Sequence, residues 1–89
     1  MTFSEFGRRV EENAGKGTDH GTANNVYLIG GGLKQGGMIN EMPDLSKLVD
    51  DDLVYQTDFR HIYATILDKW LQVDAKTILG NDFKPMDFL

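Results

Sequence analysis

Gly17-Thr18-Asp19-His20-Gly21, followed closely by Val26-Tyr27-Leu28-Ile29, is the stretch of sequence on which the predicted fold depends. Glycines bracket the Asp-His pair. The apolar run after it contains β-branched and aromatic residues, which is typical of a buried strand. Because binding groups gather at the strand ends of α/β sheets, the Asp-His pair is a candidate site.

A second informative stretch lies upstream, where Thr2-Phe3-Ser4 could end a strand and Glu5 follows it. Carboxylate and imidazole groups are the usual oxygen and nitrogen ligands of zinc, manganese and iron. Glu5, Asp19 and His20 are therefore candidate metal ligands. A complete site needs three or four ligands, and a site for phosphoryl transfer often needs two metals.

The clearest predicted element is an amphipathic helix from about Asp58 to Gln72. Thr57 is suited to cap its first turn, and Asp58 complements the helix dipole. Apolar residues recur at helical spacing and should form one buried face. That face comprises Phe59, Ile62, Tyr63, Ile66, Leu67, Trp70 and Leu71, whereas Arg60, His61, Thr65, Asp68 and Lys69 fall on the polar side.

Shorter signals predict the other local features. Asp74 should cap a second short helix, 75–79, which Gly80 would end. Asp50-Asp51-Asp52 lacks the spaced ligands and central glycine of a calcium loop, and it predicts a solvated turn. The glycine-rich stretch 30–37 indicates a turn or bulge more than a phosphate cradle, because it matches no nucleotide-binding pattern.

Composition limits the classes of function. The chain has 89 residues, ten glycines, no cysteine and a formal charge of −5. One domain, or a piece of one, with a thin core is expected. The missing thiols exclude a cysteine nucleophile or a disulfide framework. The acidic balance argues against nucleic-acid binding. No apolar run approaches the roughly 20 residues that span a membrane, and no signal peptide is visible.

The motifs resemble a known family. Gly17-Thr18-Asp19-His20 followed by an apolar strand resembles the last metal-ligand motif of the alkaline phosphatase superfamily, and is most similar to that of phosphopentomutase. The whole chain resembles the C-terminal part of the bacterial domain-of-unknown-function family 1501, whose sulfatase-like members are often exported to the periplasm. Ser4-Glu5-Phe6-Gly7-Arg8-Arg9, Thr57-Asp58-Phe59-Arg60 and Trp70-Leu71 also carry this resemblance.

The resemblance implies roles for these residues. His20 would be a metal ligand, Asp19 an orienting group, and Arg8 or Arg9 would bind an anionic substrate. The cofactor implied for the parent protein is a divalent metal, zinc or manganese. Catalytic members place Asp-His where this chain has Glu5-Phe6. Glu5 can replace the Asp as a ligand, but Phe6 cannot replace the His.

The resemblance also implies a missing partner, the N-terminal part of the parent domain, which would carry the nucleophile. We therefore expect residues 1–89 to be a C-terminal fragment of a phosphate or sulfate ester hydrolase-like protein, without catalysis of its own. The alternative is a non-catalytic binding or structural module that has kept the fold and lost the chemistry.

The expected fold class is α/β, or a small α+β unit for the isolated chain. It would contain a few short strands and one long amphipathic C-terminal helix, as a fragment of an alkaline-phosphatase-like sheet domain. Residues 1–40 would form the glycine-rich part with the motifs, and residues 57–80 the helical part. A fragment of a larger sheet leaves an unpaired edge and an uncovered apolar face, which favour self-association, although a monomer is slightly preferred over a dimer.

Overall fold

The computed structural model describes all residues 1–89, which fall into two compact units. The first unit comprises Met1–Ile29 and Glu41–Gln56, and the second comprises Gly30–Asn40 and Thr57–Leu89. The first unit contains all the strands, and the second contains all the helices.

Two small antiparallel hairpins form the first unit. Strand β1, Gly7–Arg8, pairs with β2, His20–Gly21, so that Gly7 lies opposite Gly21 and Arg8 opposite His20. Strand β3, Leu48–Val49, pairs in the same way with β4, Asp52–Leu53. Each strand has two residues, so neither hairpin extends into a larger sheet.

Two glycines allow the β1–β2 pair to approach its surroundings closely. A Cβ atom on Gly7 would lie 1.6 Å from the carbonyl oxygen of Ala23, and one on Gly21 would lie 2.5 Å from Oδ1 of Asp52. Neither position has room for a side chain. The register of this hairpin therefore depends on glycine at both positions.

The turn between β3 and β4 consists of two left-handed residues. Asp50 and Asp51 have φ angles of 52° and 62°. Positive φ at both central residues is the geometry of a type I′ hairpin turn, and aspartate tolerates it better than most side chains do. The turn predicted over 50–52 is confirmed at these two residues. Asp52 differs from the expectation, because it belongs to β4 and is buried.

The helical unit begins with helix α1, Phe59–Thr65. Asp58 caps it by accepting a hydrogen bond from the backbone N–H of Arg60 at 2.9 Å. The cap was predicted at Thr57 and therefore lies one residue later than expected. The second helix, α2, covers Ala75–Leu79 as predicted. Asp74 caps its start, and Gly80 ends it with a φ of 77°.

A π-helical segment, Ile66–Trp70, continues α1 and ends the helix. The N–H of Leu71 donates to the carbonyl of Ile66 at 2.9 Å, which is the i→i+5 spacing of a π-helix. Gln72 follows in a left-handed conformation, with a φ of 52°. The wider turns and the left-handed residue stop the helix before residue 72.

The C-terminal tail is hydrogen-bonded to this helix and to the glycine-rich stretch. The hydroxyl of Thr65 donates to the carbonyl of His61 at 2.7 Å and accepts from the N–H of Met86 at 2.7 Å. The N–H of Lys34 donates to the carbonyl of Phe88 at 3.0 Å. Phe88 is buried, so the tail supplies part of the small core of this unit.

The predicted fold class, an α/β sheet fragment ending in one long amphipathic helix, is wrong. The strands are two residues long and pair only as two separate antiparallel hairpins. The first helix has seven α-helical and five π-helical residues, and the second has five residues. The helix is shorter than predicted because it changes from α-helical to π-helical hydrogen bonding at Ile66 and ends at Trp70. The spacing of apolar residues does not indicate where this change occurs.

Three of the seven residues predicted to form the buried face, Phe59, Trp70 and Leu71, are exposed, and the other four are half-buried. Trp70 is 68% exposed and Phe59 is 55% exposed, whereas Ala64 and Thr65 are fully buried. The tail packs at Thr65, on the side that the sequence pattern had assigned to solvent. The apolar run 26–29 is not a buried strand either. Its only pairing is a bridge between Tyr27 and Thr2, and Ile29 is 90% exposed.

Candidate functional site

The β1–β2 hairpin brings the two principal motif stretches together. Because Arg8 lies opposite His20 in the register, their side chains extend from the same face of the hairpin. Both residues are exposed. The guanidinium of Arg8 donates a hydrogen bond to the carbonyl oxygen of Thr18 at 2.7 Å, which holds the arginine beside the glycine-bracketed loop.

Phe6 stacks directly on His20. The centroids of the two rings are 3.5 Å apart, and the ring planes are inclined by 14°. The guanidinium carbon of Arg8 lies 5.2 Å from the centroid of the same phenyl ring. Phe6 therefore contacts both exposed polar side chains of the hairpin, and it covers one face of the imidazole.

Asn13 organises the loop between the two strands. Its Oδ1 accepts hydrogen bonds from the backbone N–H groups of Gly15 and Gly17, each at 3.0 Å. Its amide Nδ2 donates to Oδ1 of Asp19 at 2.9 Å. The backbone carbonyl of Asp19 accepts from the N–H of Arg9 at 3.0 Å. Asp19 is thus bound to the loop on both its side chain and its backbone.

The predicted ligands do not assemble into one site within this chain. Glu5 is exposed, and no hydrogen bond joins it to Asp19 or to His20. No group of three or more His, Asp or Glu side chains is placed to hold a metal ion. The donor chemistry of these residues suits zinc or manganese, but the chain by itself does not assemble the three or four ligands of a complete site.

The two arginines lie in different environments. Arg8 is exposed beside His20, whereas Arg9 is half-buried and its Nε is fully covered. Arg9 lines a cavity of about 240 Å³ whose other walls are mainly acidic. Those walls are formed by Glu11, Glu12, Asn13, Asp19 and Asp51. Surrounding carboxylates make this cavity unsuitable for an anion, so Arg8 is the better candidate for an anionic ligand.

Asp52 supports the hairpin from β4. It accepts hydrogen bonds from the backbone N–H and the hydroxyl of Thr22, at 2.8 and 3.0 Å. The hydrogen bond from the Thr22 backbone is the main reason that the pKa of Asp52 lies below its ordinary value, although desolvation opposes it. Sequence reasoning missed this residue. The signal that could have found it is a two-residue turn at Asp50 and Asp51, because such a turn makes Asp52 the first residue of the next strand.

These features define a small protein of two short β-hairpins and a short helical part, with an exposed arginine–histidine pair on one hairpin. The chain belongs to the family described as Protein of unknown function (DUF1501), whose model matches residues 1–86. No curated protein and no solved structure matches the chain. None of its helices combines the length and the apolar character needed to cross a membrane.

Proposed function

We propose that this chain is the C-terminal part of a phosphate or sulfate ester hydrolase-like protein, in which it contributes binding groups but not the nucleophile. The pairing of Arg8 with His20 across the β1–β2 hairpin carries the proposal. Two motif stretches that are separated in sequence meet there and expose a guanidinium and an imidazole together. The resemblance to the alkaline phosphatase superfamily supplies the reaction class.

Arg8 would bind the anionic part of the ester. A guanidinium has several N–H donors in a planar arrangement, which matches the oxygen atoms of phosphate or sulfate. One donor is used by the carbonyl of Thr18, which fixes the side chain without neutralising its charge. The other donors are available to a ligand that approaches the exposed face of the hairpin.

His20 would supply one ligand to a divalent cation, zinc or manganese. Such a cation polarises an ester and stabilises negative charge when it is bound. Asp19 would hold the loop through Asn13. Glu5 would supply an oxygen ligand to the same cation. The remaining ligands and the nucleophile would come from the N-terminal part of the parent domain, which the family resemblance implies as the partner of this chain.

Zinc chloride titrations followed by NMR test this proposal, because the chain has only two histidines. We expect submillimolar zinc to perturb the ring signals of His20 and the amides of β1 and β2, and we expect His20→Ala to abolish the effect. His61→Ala is the matched control, since that imidazole is bound through Nδ1 to the carbonyl of Lys84 at 2.8 Å. Perturbation centred on His61, or none near His20, would contradict the metal role.

Inorganic phosphate provides a separate test of the anion site. We expect phosphate to shift the side-chain signals of Arg8 and the amide of Thr18, and Arg8→Gln to remove these shifts. Arg60→Gln is the control, because Arg60 is already paired with Asp58 at 2.6 Å. Equal shifts in both variants would indicate nonspecific binding of phosphate to positive charge.

The alternative function is a non-catalytic binding or structural module. Phe6 favours it, because a phenyl ring stands where catalytic relatives have a second ligand and it occupies one face of His20. A chain that binds neither zinc at His20 nor phosphate at Arg8 would support this alternative over the hydrolase-like role.

A further inference from the structure

We propose that Phe6 is a positioning residue, which fixes the imidazole of His20 by stacking and leaves both ring nitrogens free for a ligand. This inference rests on the proposed function, because it concerns how the same hairpin presents its binding groups. Phe6 stands where the resembled catalytic family has a metal-binding histidine. A phenyl ring cannot bind the metal, but it can orient the neighbouring imidazole.

The stacking geometry restricts a side chain that would otherwise turn freely. The χ2 torsion of histidine has broad minima, so an exposed imidazole on a two-residue strand samples many ring orientations. A parallel ring 3.5 Å away, inclined by 14°, selects one orientation of the ring plane. Neither nitrogen of His20 takes part in a hydrogen bond of the chain, so stacking is the contact that orients the ring.

The backbone of β1 explains why Phe6 reaches His20. Phe6 directly precedes Gly7, which pairs with Gly21 in β2, the strand that also carries His20. Gly7 lies so close to the Ala23 carbonyl that it has no room for a side chain. The same phenyl ring lies 5.2 Å from the guanidinium carbon of Arg8. Because one ring contacts both binding groups, it sets the spacing between the imidazole and the guanidinium.

Preorganisation has a measurable consequence for ligand binding. A ligand that meets an already ordered imidazole does not have to restrict that side chain on binding. Loss of an aromatic pair of this kind corresponds to a loss of affinity of about 3–10-fold. Only a flat ring can supply the contact, so tyrosine should replace Phe6 and leucine should not.

Phe6→Leu and Phe6→Tyr test the inference by NMR of the His20 ring protons. In the original chain these protons should lie upfield of those of free histidine, because they sit over a phenyl ring. Phe6→Tyr should keep the shift, and Phe6→Leu should remove it. Phe83→Leu is the matched control, since Phe83 contacts His61 edge-on with centroids 5.7 Å apart and should change only the His61 signals.

Zinc binding to the same variants gives the second measurement. We expect Phe6→Leu to weaken zinc binding at His20 by about 3–10-fold and Phe6→Tyr by less than about 2-fold. Absence of an upfield shift in the original chain, or a shift retained in Phe6→Leu, would overturn the inference, and the original-chain measurement does not depend on the folding of any variant. If the ring shifts follow the stacking prediction while zinc binds nowhere near His20, the proposed function fails and the orienting role of Phe6 stands.

Discussion

At the scale of single residues, the hairpin is most sensitive at glycines where an added side-chain atom would clash with the backbone. Gly7 is closely confined, because an added Cβ would approach the Ala23 carbonyl oxygen to 1.6 Å. Backbone atoms cannot move away without breaking the pairing of Gly7 with Gly21. The arrangement of Arg8 and His20 therefore depends on the absence of a Cβ atom at position 7.

Gly7→Ala should lower the free energy of unfolding by about 3 kcal/mol, because the clash is with backbone rather than with a flexible side chain. Urea unfolding measures the change. The control is Gly36→Ala, whose Cβ would meet no heavy atom within 4 Å. That variant should stay within about 0.5 kcal/mol of the original chain. Similar losses in the two variants would show that the close approach at Gly7 does not determine stability.

At the scale of elements, capping decides where the helices begin. Asp58 holds the first turn of α1 through the N–H of Arg60, and it also binds the guanidinium of that residue at 2.6 Å. The side-chain hydrogen bonds from Arg60, followed by the backbone one, lower the pKa of Asp58 from 3.8 to about 2. The cap is thus a charged group that the folded state prefers to keep ionised.

The stability of the chain should fall on acidification, and Asp58 should account for part of the fall. Its pKa is lower in the folded state than in the unfolded one, where it is about 3.9. Its contribution is therefore complete above the unfolded value and is lost as the pH falls towards about 2. Asp58→Asn keeps a good capping oxygen but cannot titrate, so its melting temperature should depend less on pH in this interval.

Melting curves between about pH 5 and pH 2 test this expectation. Asp68→Asn, the same change on an exposed residue of the π-helical segment, is the control and should leave the pH dependence closer to that of the original chain. Other carboxyls with lowered pKa will keep some acid sensitivity in both variants, namely those of Asp44, Asp52, Asp74 and Asp87. An unchanged slope in Asp58→Asn would contradict the prediction.

At the scale of the whole molecule, much of the apolar side-chain surface is in contact with solvent. Ile29, Met42 and Trp70 are 90%, 72% and 68% exposed. Exposed apolar groups of this size favour association, whereas the formal charge of −5 opposes it by repulsion between copies. We therefore propose that the chain self-associates, and that salt strengthens the association by screening this charge.

Sedimentation equilibrium over a range of protein and salt concentrations tests this proposal. The apparent mass should rise with both concentrations, and Trp70→Ser should reduce the rise because it removes the largest exposed ring. Gln35→Ser is the control, since it changes an exposed, uncharged residue of the same unit and removes no apolar ring. A mass of one chain under all these conditions would contradict the proposal.

Features that depend only on neighbouring residues were predictable from the sequence. Asp74 and Gly80 delimit α2 because a cap needs only its own turn, and the acidic run forms a turn at Asp50 and Asp51. The family was also predictable from the motifs and their order. The pairing of Arg8 with His20 across two strands was not predicted from the sequence.

Burial and contacts between distant side chains depend on how the segments pack, and local sequence patterns did not predict them. Thr65 is buried because a tail residue 21 positions later donates a hydrogen bond to it, and Asp52 is buried because Thr22, 30 positions earlier, binds it. Phe6 reaches His20 only through the pairing of two distant strands. Such contacts arise between segments far apart in the chain, so their energies are not visible in local periodicity.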